Sequence, residues 1–220
     1  MPLYVPTTDA PDLYVGSVPV SRMFFGDNYV WPPFEPVTAS YTVPGDYVYQ
    51  IPEDCWCIDE ILVGAGGGGR GGGLAVGGAG GQGGVWKWRK LVRGVDIPWS
   101  QTTISVKVGA GGSSGSGGLS PNNGGSGGAT IGTQTAPGGA GGYDGWSTQA
   151  GGAATGGNTS SGRDVTFNGI LYVGGGATSV NSIGTGPNGN APGGGAAGGG
   201  VPSRNGGVGA SGAAYYRAYT

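Results

Sequence analysis

No histidine occurs in these 220 residues, charged side chains make up only 10% of them, and there are two cysteines. Without histidine the chain lacks the commonest general base and the usual activator of a serine or cysteine nucleophile. Cys55 and Cys57 flank Trp56 in a strand-like stretch, too few ligands for a zinc site and too close together for an unstrained disulfide. They read as buried free thiols rather than a redox pair. Beyond Asp96 the acids are Asp144 and Asp164 alone, so a carboxylate pair for sugar hydrolysis needs long-range assembly. The opening MPLYVPTTDAPD has neither the basic nor the apolar part of a secretory leader, and no apolar run is long enough to span a membrane. These absences lead us to expect no enzyme activity, no metal and no cofactor.

Gly64–Gly69 formally matches the dinucleotide-binding glycine pattern. The glycines that follow cannot start a good helix, however, and no Lys-Ser/Thr appears for a phosphate loop. Glycine nonapeptides that bind calcium need an aspartate in each copy, and GGYDG occurs once.

What is present is glycine, 56 residues of it, with 15 prolines. Such a composition is ordinarily that of a disordered chain. Yet aromatics reach 10%, with six Trp and eleven Tyr, and disordered chains are poor in these. Collagen is excluded because no Gly-X-Y register persists and proline is not periodic. Instead, 77–85 reads GGAGGQGGV, three Gly-Gly-X triplets, and the pattern returns in GGSGGA (124–129) and GGAGGY (138–143). A period of three suits an extended polyproline-II-type coil, and glycine at two places in three lets neighbouring coils approach without Cβ clashes. Gly77, Gly78, Gly80, Gly81, Gly83, Gly84, Gly138, Gly139, Gly141 and Gly142 are the positions expected to build this lattice. Isolated coils of this kind are floppy. Here strands enter and leave the tracts, as in ILVGAGG, ISVKVGAGG and ILYVGGG, and anchored ends lower the cost of order. A packed bundle is therefore expected in preference to a disordered tail.

The fold expected is mainly β, with little or no α-helix: a small N-terminal hairpin or meander, then a β scaffold carrying a packed polyglycine-II bundle. LYVGSVPVSR (13–22) aligns with MFFGDNYVWP (23–32), each with turn residues between apolar runs, which predicts two successive hairpins. Pro32-Pro33 marks a stiff linker, so we divide the chain into a 1–36 attachment segment and a 37–220 glycine-rich domain. Tyr47, Tyr49 and Ile51 share a strand face, and Asn168-Gly169 signals a tight hairpin turn. In Trp86-Lys87-Trp88-Arg89-Lys90 the alternation reads as an amphipathic strand rather than a surface for stacking nucleic acid. Charge is uneven: residues 1–63 hold nine acids and one base, a net -8, whereas 64–220 hold three acids and nine bases, a net +6. This is either ordinary surface or a sign that the two ends meet different partners.

The repeat LYVGSVPVSRMFFGDNYVWP resembles the N-terminal segment of minor tail proteins of actinobacteriophages and other siphophages. YTVPGDYVYQIPEDCWCIDEILVGAGGGG resembles the opening of the glycine-rich domain common in those proteins. The Gly-Gly-X tracts are similar to those of tail-fibre-tip adhesins of T-even phages, which pack as polyglycine helix bundles. The resemblance implies a non-enzymatic virion protein at the tail tip, made in the host cytoplasm. It further implies attachment to other tail-tip proteins through the N-terminal segment, a homotrimer or a place in a symmetric tail assembly, and contact with a host-surface glycan or envelope component. Nucleic-acid binding and membrane insertion are not expected. A structural glycine-rich cell-envelope protein is the alternative, and a glycine-rich nucleic-acid binder the second; the absence of arginine-glycine repeats and the net charge of -2 speak against the latter. On such a scaffold the loops 113–125, 143–149, 158–164 and 179–192, rich in Ser, Thr and Asn, suit wet recognition of glycans. The candidate contact residues are Tyr143, Asp144, Trp146, Asn158, Arg163 and Asn188, with Tyr143 and Trp146 either touching the receptor or plugging the bundle end.

Overall fold

The computed structural model describes residues 14–15, 18–19, 23–26, 28–31, 34–144 and 148–220. The ten-residue repeat forms two hairpins. β1 (Tyr14–Val15) pairs with β2 (Val18–Pro19), and β3 (Met23–Phe25) pairs with β4 (Asn28–Trp31). Gly26 turns the second hairpin with φ near +60°, a conformation open to glycine at little cost. Among the described residues there is no helix.

Two four-stranded antiparallel sheets follow. The first runs in the order β11 (Thr135–Ala136), β10 (Thr130–Ile131), β9 (Thr103–Val108) and β6 (Gly45–Gln50). The second runs β5 (Val37–Tyr41), β14 (Ala213–Tyr219), β7 (Cys57–Val63) and β8 (Trp86–Val92). Two-residue alternation turns Tyr49, Ile104 and Val106 of the first sheet onto Ile58, Leu62 and Tyr216 of the second, and all are buried. Tyr47 packs on the same core, so its expected face with Tyr49 and Ile51 is the one observed. Across the sheets Tyr49 and Tyr216 stack with ring centroids 4.4 Å apart.

The other face of the second sheet presents Ile61, Val63, Trp86 and Ala213 beneath a hairpin of β12 (Val165–Phe167) and β13 (Ile170–Tyr172). Asn168 and Gly169 turn this hairpin with positive φ, as their sequence announces. Strand β7 is consequently buried along its whole length. Trp86 is buried and Trp88 packs beside it, while Lys87 stays exposed, which is the amphipathic strand expected.

Between strands the chain runs out and back as extended glycine coils. Such coils have no internal hydrogen bonds, so their peptide groups must be satisfied sideways. Residues 64–73, leaving β7, form the central coil, and its amides point in rotation to three neighbours. Ala65, Gly68 and Gly71 donate to the carbonyls of Gly128, Gly125 and Asn122; Gly66, Gly69 and Gly72 to Ala210, Gly207 and Arg204; Gly67 and Arg70 to Gln82 and Ala79. The numbers fall as those of the donors rise, so these three neighbours run antiparallel.

The carbonyls of the central coil accept in the same rotation. Gly66, Gly69 and Gly72 accept from Gly112, Gly115 and Gly118; Ala65 and Gly68 from Gly139 and Gly142; Gly67 and Arg70 from Ala196 and Gly199. These three neighbours run parallel to it. The six surrounding coils, 109–118, 122–128, 137–142, 78–85, 193–200 and 204–212, also bond each to the next and close a ring. Coils 149–155 and 184–190 add outside the ring against 193–200. This is the polyglycine-II bundle that the triplets predict.

Glycine content follows position in the lattice. A Cβ on Gly67 would fall on the Ala140 carbonyl oxygen, one on Gly68 on that of Ser113, and one on Gly69 on that of Ala197. Three successive positions of the central coil thus exclude side chains. A ring coil has an outward side, where Gln82 and Ala140 are exposed. Two glycines in three then suffice, which is the physical content of the triplet. The ten glycines singled out in the sequence lie in or directly beside ring coils 78–85 and 137–142.

Candidate functional site

Because each coil reverses the direction of the one before, the turns collect at two ends. One end joins the sheets. At the other, five connections gather, described at 74–76, 118–121, 143–144 with 148, 179–183 and 201–203. Backbone bonds place them together, since Gly118 donates to Gly72, Ser203 to Gly73, Gln149 to Gly78 and Val201 to Ser182.

These turns carry bulky apolar side chains that the coils cannot hold. Leu74 is 60% exposed, Leu119 84%, Tyr143 65% and Ile183 76%, with Val76 and Val180 also exposed. Each turn springs from its own pair of coils, so these side chains stand on a rigid base. Among the described residues the turns hold one charge, Asp144, whose φ near +41° is tolerated by aspartate. Arg204 begins the next coil beside the 201–203 turn.

Arg70 is the exception inside the central coil, and the lattice explains it. Cβ atoms on Gly64 and Gly67 would meet the carbonyls of Pro137 and Ala140. Three residues further, the equivalent partner is Tyr143, where that coil ends. The Arg70 side chain therefore leaves the lattice beside Tyr143, partly buried and with Nε lacking a hydrogen-bond partner among the described residues.

The structure separates the expected contact residues. Tyr143 and Asp144 stand at the distal turns; Trp146 lies outside the described residues. Asn158 and Arg163 sit at the opposite end, beside the second sheet. The Asn158 amide donates to the Thr166 carbonyl at 2.7 Å and its oxygen accepts the Thr166 amide at 2.7 Å, which pins β12. The Arg163 carbonyl accepts the Trp86 indole N–H at 2.7 Å, and its side chain pairs with Asp164 at 3.3 Å. Burial works to raise the Asp164 pKa, but the Gly174 amide, the Ser161 hydroxyl and Arg163 outweigh it and hold the carboxyl below the ordinary range. Asn188 lies within coil 184–190, where its Oδ1 accepts the Val208 amide at 2.9 Å.

The loops are also shorter than their composition suggests. Ser113 and Ser116 belong to coil 109–118, and 184–190 is itself a coil, so the turns proper are 118–121 and 179–183. Leu74, Leu119, Ile183 and Arg70 were not singled out from sequence. Their signal is a lone bulky residue between glycine runs, as in GGGLAVGG.

Elsewhere the chemistry is structural. Cys55 and Cys57 are free and buried, and burial raises the Cys55 thiol against the opposing charge of Arg93. The charge asymmetry is partly internal: Glu60 meets Arg89 at 3.6 Å and Asp59 meets Arg217 at 3.9 Å.

Residues 41–219 match the family described as Glycine-rich domain. A protein of Mycobacterium phage D29, "Gene 32 protein", is 41% identical over 207 residues, covering 92% of this chain and 92% of its own. One of the same name from Mycobacterium phage L5 is 42% identical over 208 residues, covering 91% and 90%.

Proposed function

The chain belongs to the glycine-rich domain family and is a phage protein, and from that premise we propose that it is a non-enzymatic minor tail protein of the virion, placed at the tail tip and used in host-surface recognition. One observation carries the reading: five separately anchored turns converge at the end of the bundle remote from the sheets and expose Leu74, Leu119, Tyr143 and Ile183 there. Monomeric proteins seldom leave such apolar groups clustered without a partner. A rigid scaffold with freely variable turns suits recognition, because the lattice constrains the coils and leaves the turns open to change. The partner at this end is a host-surface glycan or envelope component, met by the aromatic and aliphatic side chains with Asp144 and Arg70 as polar contacts.

In this reading the paired strands β1–β2 and β3–β4 of the N-terminal segment take the attachment role. A two-stranded hairpin is marginal alone, so these elements dock on neighbouring tail proteins, the chain standing as a homotrimer or within a symmetric tail assembly. Complementation tests both assignments. Particles made with the triple variant Leu74→Ser, Leu119→Ser, Ile183→Ser contain the protein but adsorb poorly to cells. Particles made with a 1–36 deletion lack it. Normal adsorption by the first, or normal incorporation of the second, contradicts the assignment.

A further inference from the structure

Coils 137–142, 78–85 and 149–155 form an open edge of the lattice. A groove follows coil 78–85 between the other two. Its lower part is a concavity of about 550 Å³ beside Gly83, Gly138, Gly152 and Gly162. Past Gln82 it continues into one of about 340 Å³ beside Gly80, Gly141, Tyr143 and Gln149.

Coil 78–85 bonds in the same rotation as the central coil, but incompletely. Gly78, Gly81 and Gly84 donate to coil 193–200 and accept from Gln149, Gly152 and Thr155, while Gln82 and Val85 donate to Ala140 and Pro137. Every third residue is left over. The amides and carbonyls of Gly80 and Gly83 have no hydrogen-bond partner among the described residues, and neither has the Ala140 amide. Gly83 is nevertheless buried. A Cβ on Gly139 would come within 2.7 Å of the Gly83 oxygen, and one on Gly152 within 3.1 Å of its nitrogen. The free carbonyl of Gly83 thus lies beside coil 137–142 and its free amide beside coil 149–155. Buried peptide groups without partners are few in native proteins, because each costs about 1–3 kcal/mol.

We propose that this groove is a docking slot for an extended glycine-rich segment of another polypeptide, which adds to the lattice as a further coil. The free groups recur every three residues, about 9 Å at a rise of about 3.1 Å, which is the repeat of a second polyglycine coil. The glycine and alanine walls let a backbone approach and leave little room for side chains. The one charged residue lining the two concavities is Asp144, an acid at the upper end, so the groove has no countercharge for nucleic acid or an acidic glycan. The arrangement is the coil counterpart of strand addition at a sheet edge.

The test uses the intact chain, labelled with nitrogen-15, and a capped synthetic peptide GGAGGQGGAGGQ at millimolar concentration. Saturable shifts and slowed exchange are expected at the amides of Gly80, Gly83 and Ala140. Ala140→Pro removes one free amide yet keeps the carbonyl that accepts from Gln82, and Pro137 already fills the equivalent place three residues earlier. That variant is expected to keep the native spectrum elsewhere and bind about tenfold more weakly, while Ala140→Ser binds normally. Absence of shifts, shifts confined to other surfaces, or undiminished binding by the native-like proline variant overturns the proposal. So does occupancy of the groove by maltopentaose, a neutral sugar, in place of the peptide. The slot does not depend on placement at a tail, so its failure leaves the proposed function standing.

Discussion

Asp59 and Glu60, adjacent on the central strand β7, point to opposite faces and each clamps a different turn. Glu60 accepts the Thr133 amide at 2.8 Å and the Tyr216 hydroxyl at 3.0 Å between the two sheets. Asp59 accepts the Asn168 side-chain amide at 2.8 Å and the Tyr219 hydroxyl at 3.0 Å under the outer hairpin. Burial, with the neighbouring carboxyl in each case, pushes the Tyr216 and Tyr219 hydroxyls far above their ordinary pKa, so they serve as donors at any working pH. Two acids in an otherwise apolar strand thus tie the layers together.

Replacing Glu60 by Leu is expected to destabilise the fold by about 3 kcal/mol, because the Thr133 amide and the Tyr216 hydroxyl lose their acceptor and the half-exposed Arg89 loses its ion-pair partner. Glu60→Gln keeps one acceptor oxygen and is expected to cost less. Urea unfolding of both variants measures the order, and equal, negligible losses would show that the clamp contributes nothing.

The lattice sets the tolerance of individual glycines. A Cβ on Gly81 would fall on the Gly67 carbonyl oxygen, whereas Gln82 is exposed. Gly81→Val is expected to lower the melting temperature steeply or abolish soluble expression, a loss above about 4 kcal/mol. Gln82→Ser is expected to change stability by less than about 0.5 kcal/mol. Comparable melting temperatures for the two would mean that the triplet register is accidental.

Acid sensitivity is expected near the outer hairpin. The folded pKa of Asp164 lies below its unfolded value, so its stabilising contribution is complete above the unfolded value and is lost as pH falls through the folded one. The window therefore opens below about pH 4. Asp164→Asn is expected to melt earlier than the parent at neutral pH and to show a flatter decline on acidification. Parallel declines for both proteins would assign the acid response to other groups.

At the distal end, Leu74→Ser, Leu119→Ser and Ile183→Ser are expected to leave the melting temperature within about 0.5 kcal/mol of the parent, because those side chains bury little. A large loss of stability would show that they pack within the end of the bundle and are not available for contact.

Much of this arrangement was legible in the residues. Strand β6 shows itself through Tyr47, Tyr49 and Ile51, the outer hairpin through Asn168-Gly169, and three of the six ring coils, 122–128, 137–142 and 78–85, through their triplets. The central coil was not, although it is the most glycine-dense stretch, because a coil enclosed on six sides needs glycine beyond the triplet and so loses the period that marks its neighbours. Nor does sequence reveal that β14 inserts between β5 and β7, since that pairing joins residues from near both ends of the domain. The recognition end was legible only in part. Tyr143 and Asp144 were visible as unusual residues in a glycine tract, but Asn158, Arg163 and Asn188 have side chains of the same polar kind and tie the scaffold together instead. Composition alone cannot separate a polar residue that bonds its own backbone from one that faces outward.

Amide hydrogen exchange across 64–73 tests the bundle most directly. Gly66, Gly67, Gly68 and Gly69 donate in turn to three different coils, so their amides are expected to exchange as slowly as those of strand β7. Exchange at the rate of an unstructured glycine peptide across this stretch would contradict a packed polyglycine lattice.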